Sequence, residues 1–167
     1  MSTKMEVHFS SISNEWETPI AVFDKLNQEF DFNLDAAATD QNFKCKNYFT
    51  KENDALLQDW FIYKRVFLNP VYGRQIGKFI KKAYEESLKG CIVVCLIPSR
   101  TDSKYFHEYC AKGEIRFIKG RLKFINRLLP SYKENGDFKI NSAPFPSCVV
   151  IFRAVNIPLT KYISFKS

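Results

Sequence analysis

The 167-residue sequence is short of glycine and histidine, and these shortages exclude several classes of enzyme. Its six glycines form neither a dinucleotide-binding fingerprint nor a phosphate-binding loop, which disfavours kinases, ATPases and common dehydrogenases. Only His8 and His107 could serve a hydrolytic triad, and no nucleophile-elbow pattern supplies its serine. The chemistry must therefore work without a glycine cradle and without a histidine-based triad.

Paired cysteines and long apolar runs are also missing. The five cysteines form no Cys-x-x-Cys pair, so the sequence encodes neither a disulfide framework nor a zinc site, and we expect no metal. No apolar run approaches the roughly 20 residues that cross a bilayer, and the N-terminus lacks the apolar core of a signal peptide. We expect a cytoplasmic protein with no membrane partner.

The composition and the order of the sequence patterns predict one α/β domain over residues 1–167. With 46% hydrophobic and 26% charged residues, the chain can form one core but is too short for two ordinary domains. Helices are predicted from a Thr18–Pro19 cap to Phe30, over Gln75–Leu88, and after a cap at Asp102. Strands are predicted at Phe32–Asp35, Tyr48–Phe49, Arg65–Leu68, Cys91–Ile97, Glu114–Ile118, Leu122–Ile125 and Ser147–Phe152, with residues 126–146 mostly a long loop. This alternation favours a mostly parallel sheet with an antiparallel C-terminal end.

The net charge of +7 is unevenly distributed. Residues 1–40 carry two basic and eight acidic side chains, whereas residues 112–139 carry eight basic and three acidic ones. Such a basic segment favours a polyanionic partner such as nucleic acid. A solvated basic face that binds nothing in particular has the same composition, so charge leaves both interpretations open.

The segment Asn69-Pro70-Val71-Tyr72-Gly73 is the strongest candidate for chemistry. It follows the predicted strand Arg65–Leu68, at the carboxyl edge of the sheet, where open α/β folds bind ligands. The Asn69 side chain and the Pro70 carbonyl offer two acceptors, and Tyr72 offers a stacking face, a combination that suits a planar amino group. Such acceptors can hold the amine and aim its lone pair at an electrophile. An ordinary Asn-Pro turn would explain the same residues without a ligand.

The context of this segment resembles a known family. Asn-Pro-x-Tyr is similar to the Asp/Asn/Ser-Pro-Pro-aromatic signature of amino-methyltransferases. Further matching segments follow in the family's order: Asn14–Pro19, Leu34–Ala38, Tyr48–Glu52, Asn53–Leu56, Ile97–Asp102, Ile115–Phe124 and Ser142–Ser147. Over about residues 14–153 the chain resembles the small, phage-type (Dam-like) DNA N6-adenine methyltransferases.

The resemblance implies a Rossmann-like methyltransferase sheet, S-adenosylmethionine as methyl donor, and an adenine flipped out of double-stranded DNA as acceptor. It assigns Asn69, Pro70 and Tyr72 to catalysis. The residues it assigns to cofactor binding are Trp16, Thr18, Pro19, Asp35, Ala36, Ala37 and Asp54. A plain helix cap, a turn and a solvated loop carboxylate are the alternative explanations of Thr18–Pro19, Asp35 and Asp54. The implied location is the cytoplasm of a bacterial or phage-infected cell.

Basic side chains near the predicted sheet edge are candidates for gripping the backbone of a flipped nucleotide. They are Arg100, Arg116, Lys119, Arg121 and Lys123. The predicted loop over residues 126–146, with Arg127, Lys133 and Lys139, is the one segment large enough to read flanking bases. Because the sequence indicates no separate recognition domain, we expect a short or loosely defined target sequence, and the oligomeric state stays open.

Two departures from the family pattern keep alternative functions open. Val71 stands where the family usually has a second proline, which would loosen the backbone that aims the Pro70 carbonyl. A non-catalytic homologue that still binds nucleic acid is therefore an alternative. A structural α/β domain with a fortuitous Asn-Pro-x-Tyr turn is a second alternative. The cofactor loop is alanine-rich, and about 30 residues between Asp35 and Val66 are too few for two crossover helices. Cytosine N4, RNA adenine or protein glutamine could also be the acceptor, since each is a planar amine.

Overall fold

Seven strands and three α-helices position the predicted site in a computed structural model that describes residues 15–125 and 142–165. The strands are β1 (Leu34–Asp35), β2 (Asn47–Tyr48), β3 (Arg65–Leu68), β4 (Ile92–Pro98), β5 (Glu114–Ile118), β6 (Ser147–Phe152) and β7 (Leu159–Ile163). The helices are α1 (Ile20–Phe30), α2 (Ile76–Leu88) and α3 (Lys104–Glu108), with short 3-10 helices at Ala55–Leu57, Phe61–Tyr63 and Cys110–Lys112.

All seven strands belong to one sheet with the order β2-β1-β3-β4-β6-β5-β7. Strands β2, β1, β3 and β4 run parallel, whereas β6 is antiparallel to both β4 and β5. The prediction of a mostly parallel α/β sheet with an antiparallel C-terminal end is confirmed. The predicted shortness of the β1–β3 connection is confirmed too, because residues 36–64 contain β2 and two 3-10 helices but no α-helix.

Helices α1 and α2 cover opposite faces of the sheet. Phe23 of α1 packs edge-on against Phe67 of β3, with ring centroids 5.2 Å apart. Tyr84 of α2 packs against Phe152 of β6 on the other face, at 5.7 Å. Because side chains alternate along a strand, Asn69 emerges on the same side as Phe67, which is the α1 side. This alternation puts Asn69 beside the segment that leads into α1.

The structure corrects the predicted helix caps. Pro19, with ψ of 139°, is the N-cap of α1, so the Thr18 hydroxyl comes one residue too early to cap it. That hydroxyl instead accepts a hydrogen bond from Asn69. Asp102 does not cap α3 either, because Ser103 is its N-cap residue and the helix begins at Lys104.

Two strand predictions in the C-terminal part also need correction. The predicted strand at 122–125 is reduced to one bridge, in which Ile125 pairs with Glu17. Apolar and charged residues alternate in this segment because Leu122 and Phe124 are buried whereas Arg121 and Lys123 are exposed. Within the described part of the chain, the segment nevertheless forms no ladder of hydrogen bonds with a neighbouring strand. The sequence pattern did not predict strand β7, which lies at the edge of the sheet beside β5. Leu159 and Tyr162 are both exposed, so the strand lacks the alternation of buried and exposed residues that predicts a strand. Of the predicted loop, residues 126–141 lie outside the described residues.

Candidate active site

Asn69 leaves strand β3 with its side-chain amide held in one orientation. Its Nδ2 donates to the Trp16 backbone carbonyl at 2.6 Å and to Thr18 Oγ1 at 2.8 Å. A backbone carbonyl can only accept, so the amide nitrogen and not the oxygen must face Trp16. The Asn69 Oδ1 atom is buried and has no hydrogen-bond partner among the residues that the structure describes. Buried acceptors usually have a partner in proteins, so this oxygen is available to a donor of a bound molecule.

Four aromatic rings, which we call the aromatic cap, pack against one another: Trp16, Tyr72, Phe124 and Phe145. The backbone carbonyl of one of them, Trp16, binds the Asn69 amide. The Tyr72 ring meets Phe145 and Phe124 edge-on, with centroids 5.5 Å and 6.1 Å apart. Trp16 contacts Phe145 at 5.3 Å and Phe124 at 6.0 Å. Tyr72 is buried and its hydroxyl donates to the Leu96 carbonyl at 3.1 Å. Burial raises the pKa of Tyr72 well above its ordinary value, so the phenol stays protonated.

Three segments that are distant in sequence assemble the aromatic cap. Glu17 and Ile125 exchange backbone hydrogen bonds of 2.9 Å and 3.1 Å, which join the Trp16 segment to the Phe124 segment. The Ala143 N–H donates to the Leu122 carbonyl at 2.8 Å, which fixes the segment that carries Phe145. The cap is therefore a product of tertiary contacts and not of one local motif.

Asp35, at the end of β1, forms a second part of the site. It is 3% exposed and pairs in register with Phe67, two residues before Asn69. Its carboxylate accepts from the backbone N–H groups of Lys44 at 3.1 Å and Ala37 at 3.4 Å. Burial raises the pKa of Asp35 by more than these two hydrogen bonds lower it, and the resulting pKa is about 6. A ligand that supplies hydroxyl or ammonium donors would stabilise the charged form.

The raised pKa of Asp35 predicts a pH dependence of stability. The ordinary value is 3.8, so the folded state holds this proton more tightly than the unfolded state. The resulting stabilisation is complete below that value and is lost as the pH rises through about 6. Relative to Asp35→Asn, we expect the free energy of unfolding of the wild type to fall by about 2 kcal/mol between pH ~4 and ~7. Urea unfolding of both proteins measures this difference, and a difference that does not change with pH contradicts the prediction.

The other predicted cofactor residues have varied surroundings. Ala36 and Ala37 follow Asp35 directly, and the Ala36 N–H donates to the Phe67 carbonyl at 2.9 Å. Asp54 is exposed, with a φ of 49°, and its side chain accepts from the Leu56 N–H at the start of a 3-10 helix. Pro19 is half-buried at the start of α1, next to Thr18.

Four of the five predicted DNA contacts are exposed: Arg100, Lys119, Arg121 and Lys123. Arg121 and Lys123 alternate with the buried Leu122 and Phe124, and Phe124 belongs to the aromatic cap. Arg121 and Lys123 therefore lie at the rim of the site, next to the aromatic cap.

Arg116 has a different environment from the one expected for a DNA contact. It is 9% exposed, and its guanidinium makes two 2.7 Å bonds to Glu29 and one to Glu114. Because these carboxylates hold the guanidinium within the protein, the geometry does not support the expectation that Arg116 grips DNA.

Sequence reasoning gave Phe124 and Phe145 no role and assigned Trp16 and Thr18 to a cofactor. The structure places Trp16 and Thr18 on the Asn69 amide and puts both phenylalanines around Tyr72. Phe145 lies between two prolines, in a segment with no regular secondary structure, and this was the one signal that could have drawn attention to it.

Two negative findings apply to the parts of the chain that the structure describes. No group of three or more histidine, cysteine, aspartate or glutamate side chains there could hold a metal ion. Over the same residues, none of the helices has the length and apolar character needed to span a membrane.

The sequence model of a family described as DNA N-6-adenine-methyltransferase (Dam) matches residues 7–167. A protein of Haemophilus phage HP1 (strain HP1c1), named DNA N-6-adenine-methyltransferase, is 30% identical over 91% of this chain and 83% of its own length. A protein of the same name from Escherichia phage T1 is 31% identical over 59% of this chain. That alignment spans 41% of the phage T1 protein.

Proposed function

The chain belongs to the DNA N-6-adenine-methyltransferase (Dam) family, and from this premise we propose that it methylates the N6 amino group of adenine in DNA, with S-adenosylmethionine as methyl donor. The observation that carries the proposal is the buried, unpartnered Oδ1 of Asn69. The location that follows is the cytoplasm of a bacterial or phage-infected cell, where such DNA is found.

The acceptor geometry at Asn69 suits an exocyclic amine. One N6 hydrogen would bond to Asn69 Oδ1 and the other to the Pro70 carbonyl, which is next along the chain. When these two oxygens accept both hydrogens, the lone pair of the adenine N6 atom is drawn out of conjugation with the adenine ring. The lone pair is then directed at the methyl carbon of the donor. S-adenosylmethionine, when bound, supplies an electrophilic methyl group. The contribution of the protein is therefore positioning and electrostatics, without a covalent nucleophile.

The residues around Asp35 fit the proposed cofactor. A buried carboxylate at the end of a parallel strand can accept hydrogen bonds from ribose hydroxyls or from an ammonium group. Ala36 and Ala37 follow Asp35 directly and have small side chains, Ala36 buried and Ala37 half-buried. We propose that these three residues line the pocket and that Asp54, Trp16 and Pro19 complete it.

The aromatic cap provides the stacking partner for the target base. An adenine that stacks on Tyr72 would take the place of Phe124 or Phe145, which now pack against its ring. Aromatic stacking on one base contributes about 1–3 kcal/mol in nucleic-acid complexes. A base flipped out of the duplex would thereby recover part of the cost of unstacking.

The exposed cations at the rim predict a salt-dependent affinity for DNA. We expect the triple substitution of Lys119, Arg121 and Lys123 by alanine to reduce the slope of log affinity against log salt concentration, by about 0.9 for each phosphate that the variant no longer neutralises. Fluorescence anisotropy with a labelled duplex at several salt concentrations measures the slope. The matched control is Lys81→Ala on α2, whose exposed side chain pairs only with Glu85 among the described residues. Equal slopes for the triple variant and the control contradict this role.

Product analysis tests the proposed function directly. The purified protein is incubated with S-adenosylmethionine carrying a tritiated methyl group and unmethylated DNA, and the digested nucleosides are separated by chromatography. Label that co-elutes with N6-methyldeoxyadenosine supports the proposal, and label in N4-methyldeoxycytidine overturns the choice of base.

Further arms of the experiment cover the other acceptors and an inactive homologue. RNA and a glutamine-containing peptide replace DNA in parallel incubations. If no substrate is labelled although DNA and S-adenosylmethionine both bind, the proposal fails in favour of an impaired homologue. Val71 is then the residue to test, because it replaces the usual second proline; its side chain is 53% exposed. Restoration of activity by Val71→Pro would identify this replacement as the cause.

A further inference from the structure

We propose that Thr18 is a positioning residue that, together with the Trp16 carbonyl, locks the Asn69 amide so that only its oxygen faces the acceptor amine. This inference rests on the proposed function and deepens it, since it concerns how the same site selects an amine. It differs from the role in cofactor binding that the sequence resemblance assigned to Thr18.

The two hydrogen bonds of the Asn69 nitrogen use both of its hydrogens. The distances of 2.6 Å to the Trp16 carbonyl and 2.8 Å to Thr18 Oγ1 are short for neutral hydrogen bonds that nitrogen donates. Thr18 is 2% exposed, so water does not compete for its hydroxyl. With both donors satisfied, the remaining lone pairs of the amide belong to Oδ1, which has no partner within residues 15–125 and 142–165. The amide is therefore a pure acceptor towards the site.

This orientation decides which chemical group the site accepts. A freely rotating asparagine could present either its oxygen or its NH2 group, and would accept a keto oxygen as readily as an amine. Rotation by 180° here would place Oδ1 against the Trp16 carbonyl, so two acceptors would face each other and the two N–H groups of the amide would lose their present partners. The fixed orientation of the Asn69 amide, which we call the lock, therefore favours a base with an exocyclic amine over one with a keto group at the same place.

The position of Thr18 makes the arrangement rigid. Thr18 precedes the N-cap residue of α1, whose first turn is closed by bonds from the Val22 and Phe23 N–H groups to the Pro19 carbonyl. On the other side, Glu17 is paired with Ile125. The Thr18 hydroxyl is therefore held between the start of α1 and the Glu17–Ile125 bridge. From this position it can fix the side-chain amide of Asn69, the residue that follows β3.

Thr18→Val tests the proposal, because valine has nearly the same shape but no hydroxyl. We expect kcat to fall about 10- to 100-fold, as for a reacting group that loses its fixed placement. Affinity for S-adenosylmethionine should stay within about twofold of the wild type. Thr18→Ser, which keeps the hydroxyl, should restore most of the rate. Thr160→Val, an exposed threonine on the edge strand β7, is the matched control.

A substrate-free measurement separates this proposal from the proposed function. In 15N-labelled protein, the Asn69 side-chain NH2 pair is assigned by its disappearance in Asn69→Asp. Both protons should exchange slowly with water in the wild type, and one should exchange rapidly in Thr18→Val. If the wild type proves unable to methylate DNA, the proposed function fails, while the exchange data still decide whether the lock exists.

Two results would overturn the positioning role. In the first, Thr18→Val weakens S-adenosylmethionine binding tenfold or more while kcat at saturating cofactor is unchanged, which would make Thr18 a cofactor ligand. In the second, both Asn69 amide protons keep their slow exchange in Thr18→Val, which would show that the hydroxyl does not hold the amide.

Discussion

Asn69→Ala is expected to lower the rate of methyl transfer about 10²- to 10³-fold, the range seen when an enzyme loses one preorganised group that stabilises developing charge. In the proposed mechanism, Asn69 Oδ1 is the side-chain acceptor that holds the target amine, and alanine offers no replacement. The measurement is a single-turnover rate with tritiated S-adenosylmethionine and saturating DNA. Affinity for DNA should change much less, because the cations that we propose to bind phosphates, Lys119, Arg121 and Lys123, are other residues.

Two controls keep this prediction specific. Asn69→Asp retains acceptor oxygens but has no N–H for the Trp16 carbonyl, so its rate should lie between those of the wild type and Asn69→Ala. The thermal unfolding midpoint of each variant reports whether the fold survives. A folded Asn69→Ala protein that keeps more than half of the wild-type rate would refute the assignment of Asn69 as the acceptor of the amine.

Arg116→Met is expected to lower the free energy of unfolding by about 3 kcal/mol while leaving DNA affinity nearly unchanged. Removing one partner of a buried ion pair costs about 3–5 kcal/mol, because the remaining charge stays buried. Glu114 is deeply buried but keeps Arg153 and Lys161, and Glu29 is half exposed, so the lower end of the range applies. Urea unfolding and anisotropy titration with duplex DNA measure the two quantities.

The matched control for this variant is Lys161→Met, which removes another cation from Glu114. Lys161 lies 3.2 Å from Glu114 but its side chain is half exposed, so its removal should cost less than about 1 kcal/mol. If Arg116→Met instead weakened DNA binding with no loss of stability, the expectation from the sequence would be right and the structural role wrong.

Arg116 and Asn69 show how far the sequence could lead. Asn69 could be found because a compact apolar run ends at Asn-Pro, and the run and its end are local features of the chain. The environment of Arg116 could not be found in this way, because Glu29 lies 87 residues away and meets it only when α1 packs on the sheet. A basic side chain in a basic segment has the same appearance in sequence whether it faces solvent or a buried carboxylate.

The helices and strands also divide into those that local sequence patterns predicted and those that depend on tertiary contacts. Helices α1 and α2 and strands β3, β4, β5 and β6 were predicted to within a few residues, because their apolar spacing reflects one buried face or complete burial. The errors at Thr18 and at residues 122–125 have one cause. In both segments, side chains make tertiary contacts: Thr18 accepts a hydrogen bond from Asn69, and Phe124 packs in the aromatic cap, so their sequence patterns do not report a helix cap or a strand.

By itself, the sequence determined the α/β class, the mostly parallel sheet, the strand that ends at Asn69 and the family to which the chain belongs. Tertiary structure alone decided that Thr18 and the Trp16 carbonyl orient the Asn69 amide, that Phe124 and Phe145 enclose Tyr72, and that Arg116 is held by Glu29 and Glu114. The physical reason is that periodicity and turn chemistry act over a few neighbouring residues. A hydrogen bond to a buried amide or guanidinium depends on which distant segments the packing of the core brings within about 3 Å.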